Sequence, residues 1–175
     1  MALLIVVTGP PGAGKSTVAR ALADEFEHSA LVEGDAFFAF VARGATDPWL
    51  PAAHRQNQTV TQAAAAAAGR YAAGGYLTVY DGIVGPWFLA DFAAAAAVGH
   101  LHYAVLLPSA QQCADRVANR TGHRFTSEAA TRHMHSQFAQ SGIDRRHLLA
   151  DWPGQAHETA QEILRRTRAG TLRYP

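Results

Sequence analysis

The chain is 175 residues long, which fits a single domain and is enough to bury roughly two thirds of its unfolded surface without disulfide or metal staples. Fifteen Lys and Arg against 14 Asp and Glu leave a net charge of +1 with nine His neutral, which argues against a nucleic-acid-coating protein, since that binding needs a clustered excess of cations. With 49% hydrophobic and 17% charged residues intrinsic disorder is excluded, and the longest Ala runs (63–68 and 93–97) fall short of the about 20 apolar residues of a membrane span. A single cysteine, Cys113, offers no disulfide framework and points to a reducing, cytoplasmic home.

In chain order, Leu3-Leu4-Ile5-Val6-Val7 lacks a basic lead and reads as a first strand rather than a signal peptide. It runs into Gly9-Pro10-Pro11-Gly12-Ala13-Gly14-Lys15-Ser16-Thr17, a complete G-x-x-x-x-G-K-[ST] phosphate loop in its strand-to-helix setting. Glycines let the backbone close around an anion, successive N–H groups point inward, and the positive end of the following helix adds to the field. Lys15 supplies an ammonium for β- and γ-phosphates, and the Ser16 hydroxyl is suited to ligate Mg²⁺. The following helix is expected over 15–27, with Val18, Leu22 and Phe26 on one buried stripe.

A second strand at 30–33 leads into Glu33-Gly34-Asp35. At the carboxyl edge of a doubly wound sheet Asp35 faces the bound γ-phosphate and can take the proton of an attacking hydroxyl; the alternative is a helix N-cap. A helix at 52–73 follows, on which Arg55, Gln58, Thr59 and Gln62 form a polar stripe facing either an acceptor or water. The third strand, 76–80, ends at Asp81-Gly82, where the carboxylate serves Mg²⁺, the acceptor or simply a turn. Trp87 and Phe88, opening a helix at 87–97, suit either an apolar acceptor or the core.

After a strand at 102–107, Ser109-Ala110-Gln111-Gln112 is a capping box that starts a helix at 109–120. Arg116 and Arg120 share a face of it, and Arg124 follows the break Thr121-Gly122-His123, so the three form either a nucleotide lid or a solvated basic face. A helix at 127–140, a fifth strand at 147–150 and a last helix at 155–168 complete the pattern of strands alternating with helices, the sign of a parallel sheet covered on both faces.

These residues resemble the small P-loop kinases that phosphorylate hydroxyls: gluconate kinase, chloramphenicol phosphotransferase, shikimate kinase and the 5′-kinase domain of polynucleotide kinase. Val32-Glu33-Gly34-Asp35 is similar to the gluconate kinase segment that ends the second strand, and Asp35 matches the position of the proposed base in chloramphenicol phosphotransferase and polynucleotide kinase. Arg116 to His123 resembles the lid entry of gluconate kinase. The resemblance implies one domain over 1–175 with a three-layer α/β P-loop NTPase fold, a five-stranded parallel sheet and a small Arg-bearing lid at about 119–140. It implies ATP and Mg²⁺ and an acceptor pocket built from the segment between the second and third strands; taken with the residues themselves, Lys15, Asp35, Arg120 and Arg124 are expected to be catalytic, Gly9 to Thr17 and Arg116 to meet the nucleotide, and Asp35, Arg55, Asp81 and Trp87 to meet the acceptor, although the segment carrying Arg55 departs from the family pattern. The expected reaction is transfer of the γ-phosphate of ATP to a hydroxyl of a small polar molecule such as a sugar acid, a nucleoside-like compound or an antibiotic, by a monomer or homodimer. Alternatives are a polynucleotide 5′-hydroxyl kinase and a non-catalytic ATP-binding switch.

Overall fold

Short β-branched and aliphatic runs become the sheet, and the alternation of side chains along them decides which helices cover each face. The computed structural model describes residues 3–119, 127–149 and 155–175. Strands β1 (Leu3–Thr8), β2 (Ser29–Glu33), β3 (Leu77–Asp81) and β4 (Leu101–Val105) pair in parallel, in the order β2-β3-β1-β4, and β5 (Arg173–Tyr174) adds antiparallel to β4. Leu4 and Val6 of β1 point into a core shared with α3 (His54–Ala73), α4 (Pro86–Ala96) and Phe138 of α6 (Glu128–Gln140). Ile5 and Val7 point to the opposite side, where α1 (Lys15–Ala23), α5 (Ala110–Ala118) and α7 (Ala156–Arg168) pack. Each fully buried Leu or Phe of these two cores contributes about 1.5–3 kcal/mol. The result is three layers around a mostly parallel five-stranded sheet.

The fifth strand does not lie where the sequence puts it. Residues 147–149 make a single parallel bridge, Val105 with Leu148, because the Asp144 carboxylate accepts the Arg146 N–H at 3.0 Å and winds Arg145–His147 into a 3-10 turn. Arg166 of α7 then donates to the Leu148 carbonyl at 3.0 Å while its Nε holds Glu162 at 2.7 Å, anchoring the segment by side chain rather than by ladder. The fifth strand is instead Arg173–Tyr174, paired with His102 and Leu101 and opposite in direction. Helix α1 also stops at Ala23, short of the expected 27, yet Phe26 still packs on the same face as Val18 and Leu22.

The Ala runs are packing surfaces. Gly69 of α3 has room for no side chain, since a Cβ there would fall on the Ala96 carbonyl of α4, and Ala64, Ala65, Ala68 and Ala72 are buried along the same helix. Small residues bring the two helices close, and Gln58 of α3 donates to Asp91 of α4 at 2.6 Å beside this seam. The Ser109 capping box forms as expected: Ser109 Oγ accepts the Gln112 N–H at 3.2 Å, and Gln112 Oε1 accepts the Ser109 N–H at 3.0 Å.

Two buried histidines make the fold sensitive to acid. His102 is 5% exposed, its Nδ1 has no hydrogen-bond partner among the described residues, and burial, then His100 and Arg173, push its pKa down to about 4. Burial also lowers the His147 pKa, although its Nδ1 meets the Tyr103 carbonyl at 2.9 Å. Both are neutral when folded and take up a proton when unfolded below the usual histidine range, so the unfolded state binds more protons there. Stability is expected to be level above about pH 6.5 and to fall by on the order of 2 kcal/mol as the pH drops toward 4. Denaturant titrations across this range check it, and His102→Phe should flatten much of the slope.

Candidate active site

The phosphate loop spans the gap between Thr8 of β1 and Lys15 of α1, and its shape depends on glycine. Gly12 and Gly14 adopt φ of +79° and +93°, and a Cβ on Gly12 would also strike the Cys113 carbonyl of α5. Gly14 holds the N-cap position of α1, where the side chain offers nothing and the helix amides stay open to an anion. The Lys15 ammonium donates to the Pro10 carbonyl at 3.0 Å, curled over the loop it follows. Arg116 braces the loop from outside, with one guanidinium nitrogen 3.3 and 3.4 Å from the carbonyls of Gly12 and Ala13.

Register then brings the carboxylates to the loop. Val7, Asp81 and Glu33 pair across β1, β3 and β2, so Asp81 ends its strand beside the start of the loop. Burial raises the Asp81 pKa, while a hydrogen bond from Ser16 and the charge of Lys15 pull it back. Beyond Glu33 the chain turns into α2 (Gly34–Phe38). The N-cap position belongs to Glu33, so the capping role considered for Asp35 does not apply; Asp35 sits in the first turn, where a carboxylate complements the helix dipole. Tyr80, 2% exposed, lies beneath both carboxylates, and its burial and the Asp35 and Asp81 charges hold its hydroxyl protonated far above neutral pH.

A cavity of about 280 Å³ opens between α2, α3 and the phosphate loop. Pro11, Lys15, Asp35 and Tyr80 meet at one part of it, and Phe38, Trp49, Val60, Ile83, Phe88 and Met134 form its apolar walls with Thr61 and Asn57. The Trp49 wall is carried by a loop clamped to α3 through amides: Gln56 exchanges two hydrogen bonds with the Thr46 backbone at 2.8 and 2.7 Å, and Asn57 donates to the Pro48 carbonyl at 2.7 Å. Thr8 ties the rear, accepting the Val84 N–H at 2.8 Å, while the Tyr103 hydroxyl donates to the Val84 carbonyl at 2.7 Å.

The structure thus gathers Lys15, Ser16, Asp35 and Asp81, with Arg116 behind the loop. It separates others. Arg55 is exposed on α3, whose cavity face is Asn57, Val60 and Thr61 rather than the stripe of Arg55, Gln58, Thr59 and Gln62. Trp87, 39% exposed, rests edge-on against Phe138 with ring centroids 5.2 Å apart, and the neighbouring Phe88 lines the cavity instead. Arg120 and Arg124 lie outside the described residues, as does the part of the expected lid between Asn119 and α6. Phe38, Tyr80, Ile83 and Met134 carry no motif. The spacing of Asn57, Val60, Thr61 and Ala64 on one helical face was the available signal for the α3 wall.

A glycine-rich loop joining the first strand of a parallel sheet to the helix that follows defines a P-loop domain. The chain belongs to the AAA domain family, which it matches over residues 4–142. No curated protein matches its sequence. Among solved structures it is similar to the tunicamycin resistance protein of Deinococcus radiodurans, at 12% identity and a TM-score of 0.70, covering 100% of this chain and 99% of that one. A sugar kinase from a Janibacter species shares 20% identity at TM-score 0.68 over 97% and 98% of the two chains. A gluconokinase from Sinorhizobium meliloti shares 22% at 0.65 over 96% and 93%. The likeness is one of fold, that of the small P-loop kinases, and extends over the whole domain. Among the described residues no helix is long and apolar enough to cross a membrane.

The closeness of Tyr80 to its glycines gives a direct test of this geometry. A Cβ on Gly34 would meet the Tyr80 hydroxyl, so Gly34→Ala is expected to cost about 1–3 kcal/mol in thermal or denaturant unfolding. Adding Tyr80→Phe should recover part of the loss, a non-additive pair that independent sites would not give.

Proposed function

We propose that the chain is an ATP-dependent phosphotransferase that moves the γ-phosphoryl group to a hydroxyl of a small molecule held in the 280 Å³ cavity. The observation that supports this reading is the shared wall of that cavity: Lys15 and Pro11 of the phosphate loop line it together with Asp35, so phosphate donor and hydroxyl acceptor would meet at one point. The fold likeness to a sugar kinase and a gluconokinase supports the same reading.

In this proposal the loop amides and the Lys15 ammonium hold the ATP phosphates. Ser16 and Asp81 offer a hydroxyl and a carboxylate side by side, a hard oxygen donor set that suits Mg²⁺. The ion, when bound, would neutralise charge on the β- and γ-phosphates. Asp35 accepts the proton of the acceptor hydroxyl and keeps its oxygen in line with the γ-phosphorus. The new O–P bond forms as the bond to the bridging oxygen breaks, ADP leaves with that electron pair, and the proton ends on Asp35. Arg120 and Arg124 are assigned to the transferring phosphoryl group by the lid motif. Arg116 acts through the loop, whose carbonyls it bonds, rather than on the reacting atoms.

Lys15→Ala is expected to abolish acceptor-dependent ADP release with the melting temperature unchanged. Asp35→Asn should leave ATP affinity unaltered and lower kcat by roughly 10² to 10⁴. Calorimetry with a non-hydrolysable ATP analogue and a coupled ADP assay, run on one preparation, read both. An Asn variant with turnover within a few-fold of the parent would remove Asp35 from the mechanism. A panel including a 5′-hydroxyl oligonucleotide separates the alternatives, since a strand kinase labels the oligonucleotide and a switch protein labels nothing.

A further inference from the structure

The cavity walls say what kind of body the acceptor has. Its polar lining residues are Asp35, Lys15 and Tyr80, with Thr61 and Asn57 on the α3 wall. Lys15 is its one cationic lining residue among those described, and that ammonium is bonded back to the phosphate loop. Among the described residues no guanidinium lines the cavity, so a carboxylate or phosphate on the acceptor would meet the charge of Asp35 without an arginine fork from them. A polyol would meet mostly hydrocarbon: among the described lining residues Thr61, Tyr80, Asp35 and Lys15 offer polar groups, while the Asn57 amide nitrogen is spent on Pro48 and its Oδ1 is buried without a partner among the described residues.

The remaining surface is apolar and largely aromatic: Phe38, Trp49, Phe88, Val60, Ile83 and Met134. Such walls favour a hydrocarbon or aromatic ring system. A cavity of about 150 Å³ holds one benzene ring, so 280 Å³ takes a body of roughly a dozen non-hydrogen atoms.

We infer that, on the phosphotransferase reading above, the acceptor is a neutral alcohol of about that size, with an apolar ring or chain as its body and one hydroxyl directed at Asp35. The Tyr80 side chain suits such a hydroxyl. Its Oη lies between Gly34 and Gly82 on the cavity floor and has no hydrogen-bond partner among the described residues, so it can donate to the same acceptor oxygen whose proton Asp35 takes. This narrows the polar acceptors expected from the sequence to those without a carboxylate or a run of hydroxyls.

The test is isothermal titration of the full chain, with a non-hydrolysable ATP analogue present, using 3-phenylpropanol against gluconate, shikimate and xylitol. The alcohol is expected to bind at least tenfold tighter than any of the three. Phe38→Ala should weaken it about tenfold and leave the nucleotide analogue unaffected, with Met134→Ala as the second probe if Phe38→Ala lowers the melting temperature. Equal or tighter binding of an acid or of xylitol, or no binding of the alcohol, overturns the inference. Substituting ATP separates it from the reading it rests on: phosphorylation of gluconate or shikimate would uphold the phosphotransferase and refute the acceptor class. Binding of the alcohol without transfer to any probe would refute the phosphotransferase and leave the ligand class standing.

Discussion

Everything at the proposed active edge hangs on the parallel register of three strands. Val7, Asp81 and Glu33 stand in one row, so the chain leaves β1 as the phosphate loop, β3 as a buried carboxylate and β2 as the helix that carries Asp35, all at the same height. A slip of one residue in any pairing would turn every side chain of that strand to the opposite face. The two cores forbid it, because Leu4 and Val6 fit one set of helices and Ile5 and Val7 the other. Hydrophobic packing thus fixes the distance between the phosphate loop and Asp35 more firmly than any contact within the site.

The edge is also an electrostatic compromise. Glu33, Asp35 and Asp81 converge on it, and the last is buried with its pKa raised. Lys15, the Ser16 hydroxyl and the open amides of the loop supply the opposing field, so negative and positive groups balance across the edge. Space is shared in the same spirit. Gly34 and Gly82 have no side chain because the Tyr80 ring occupies the volume where one would go, which sets the cavity floor directly under the carboxylates.

What could be read from the sequence follows how local each constraint is. The phosphate loop is nine consecutive residues whose chemistry and conformation are set by their neighbours, and it was fully legible, as was the Ser109–Gln112 cap. The apolar cavity wall was not, because Phe38, Trp49, Val60, Phe88 and Met134 come from distant segments joined only by packing. The polar stripe on α3 left acceptor and water open as alternatives, and the structure turns it to neither alone: Gln58 reaches Asp91 of α4 and Arg55 is exposed, while the cavity face carries Val60 and Thr61. Likewise Leu148 and Leu149 read as a strand, but the Asp144 turn ahead of them leaves a single bridge, and two residues as polar as Arg173-Tyr174 announce no strand at all. The arginines of the expected lid lie outside the described residues, so the sequence remains their basis.

The short antiparallel strand has a geometric consequence of its own. Tyr174 pairs with Leu101 at the beginning of β4, and Leu3 pairs with Leu77 at the beginning of β3, so both lie on the blunt rim of the sheet, away from the phosphate loop. The six residues of β1 put that rim about 20 Å from the loop. A fluorescent label, an immobilising tether or a fused domain joined at either of these points would hang from the back of the molecule, leaving the mouth of the cavity clear.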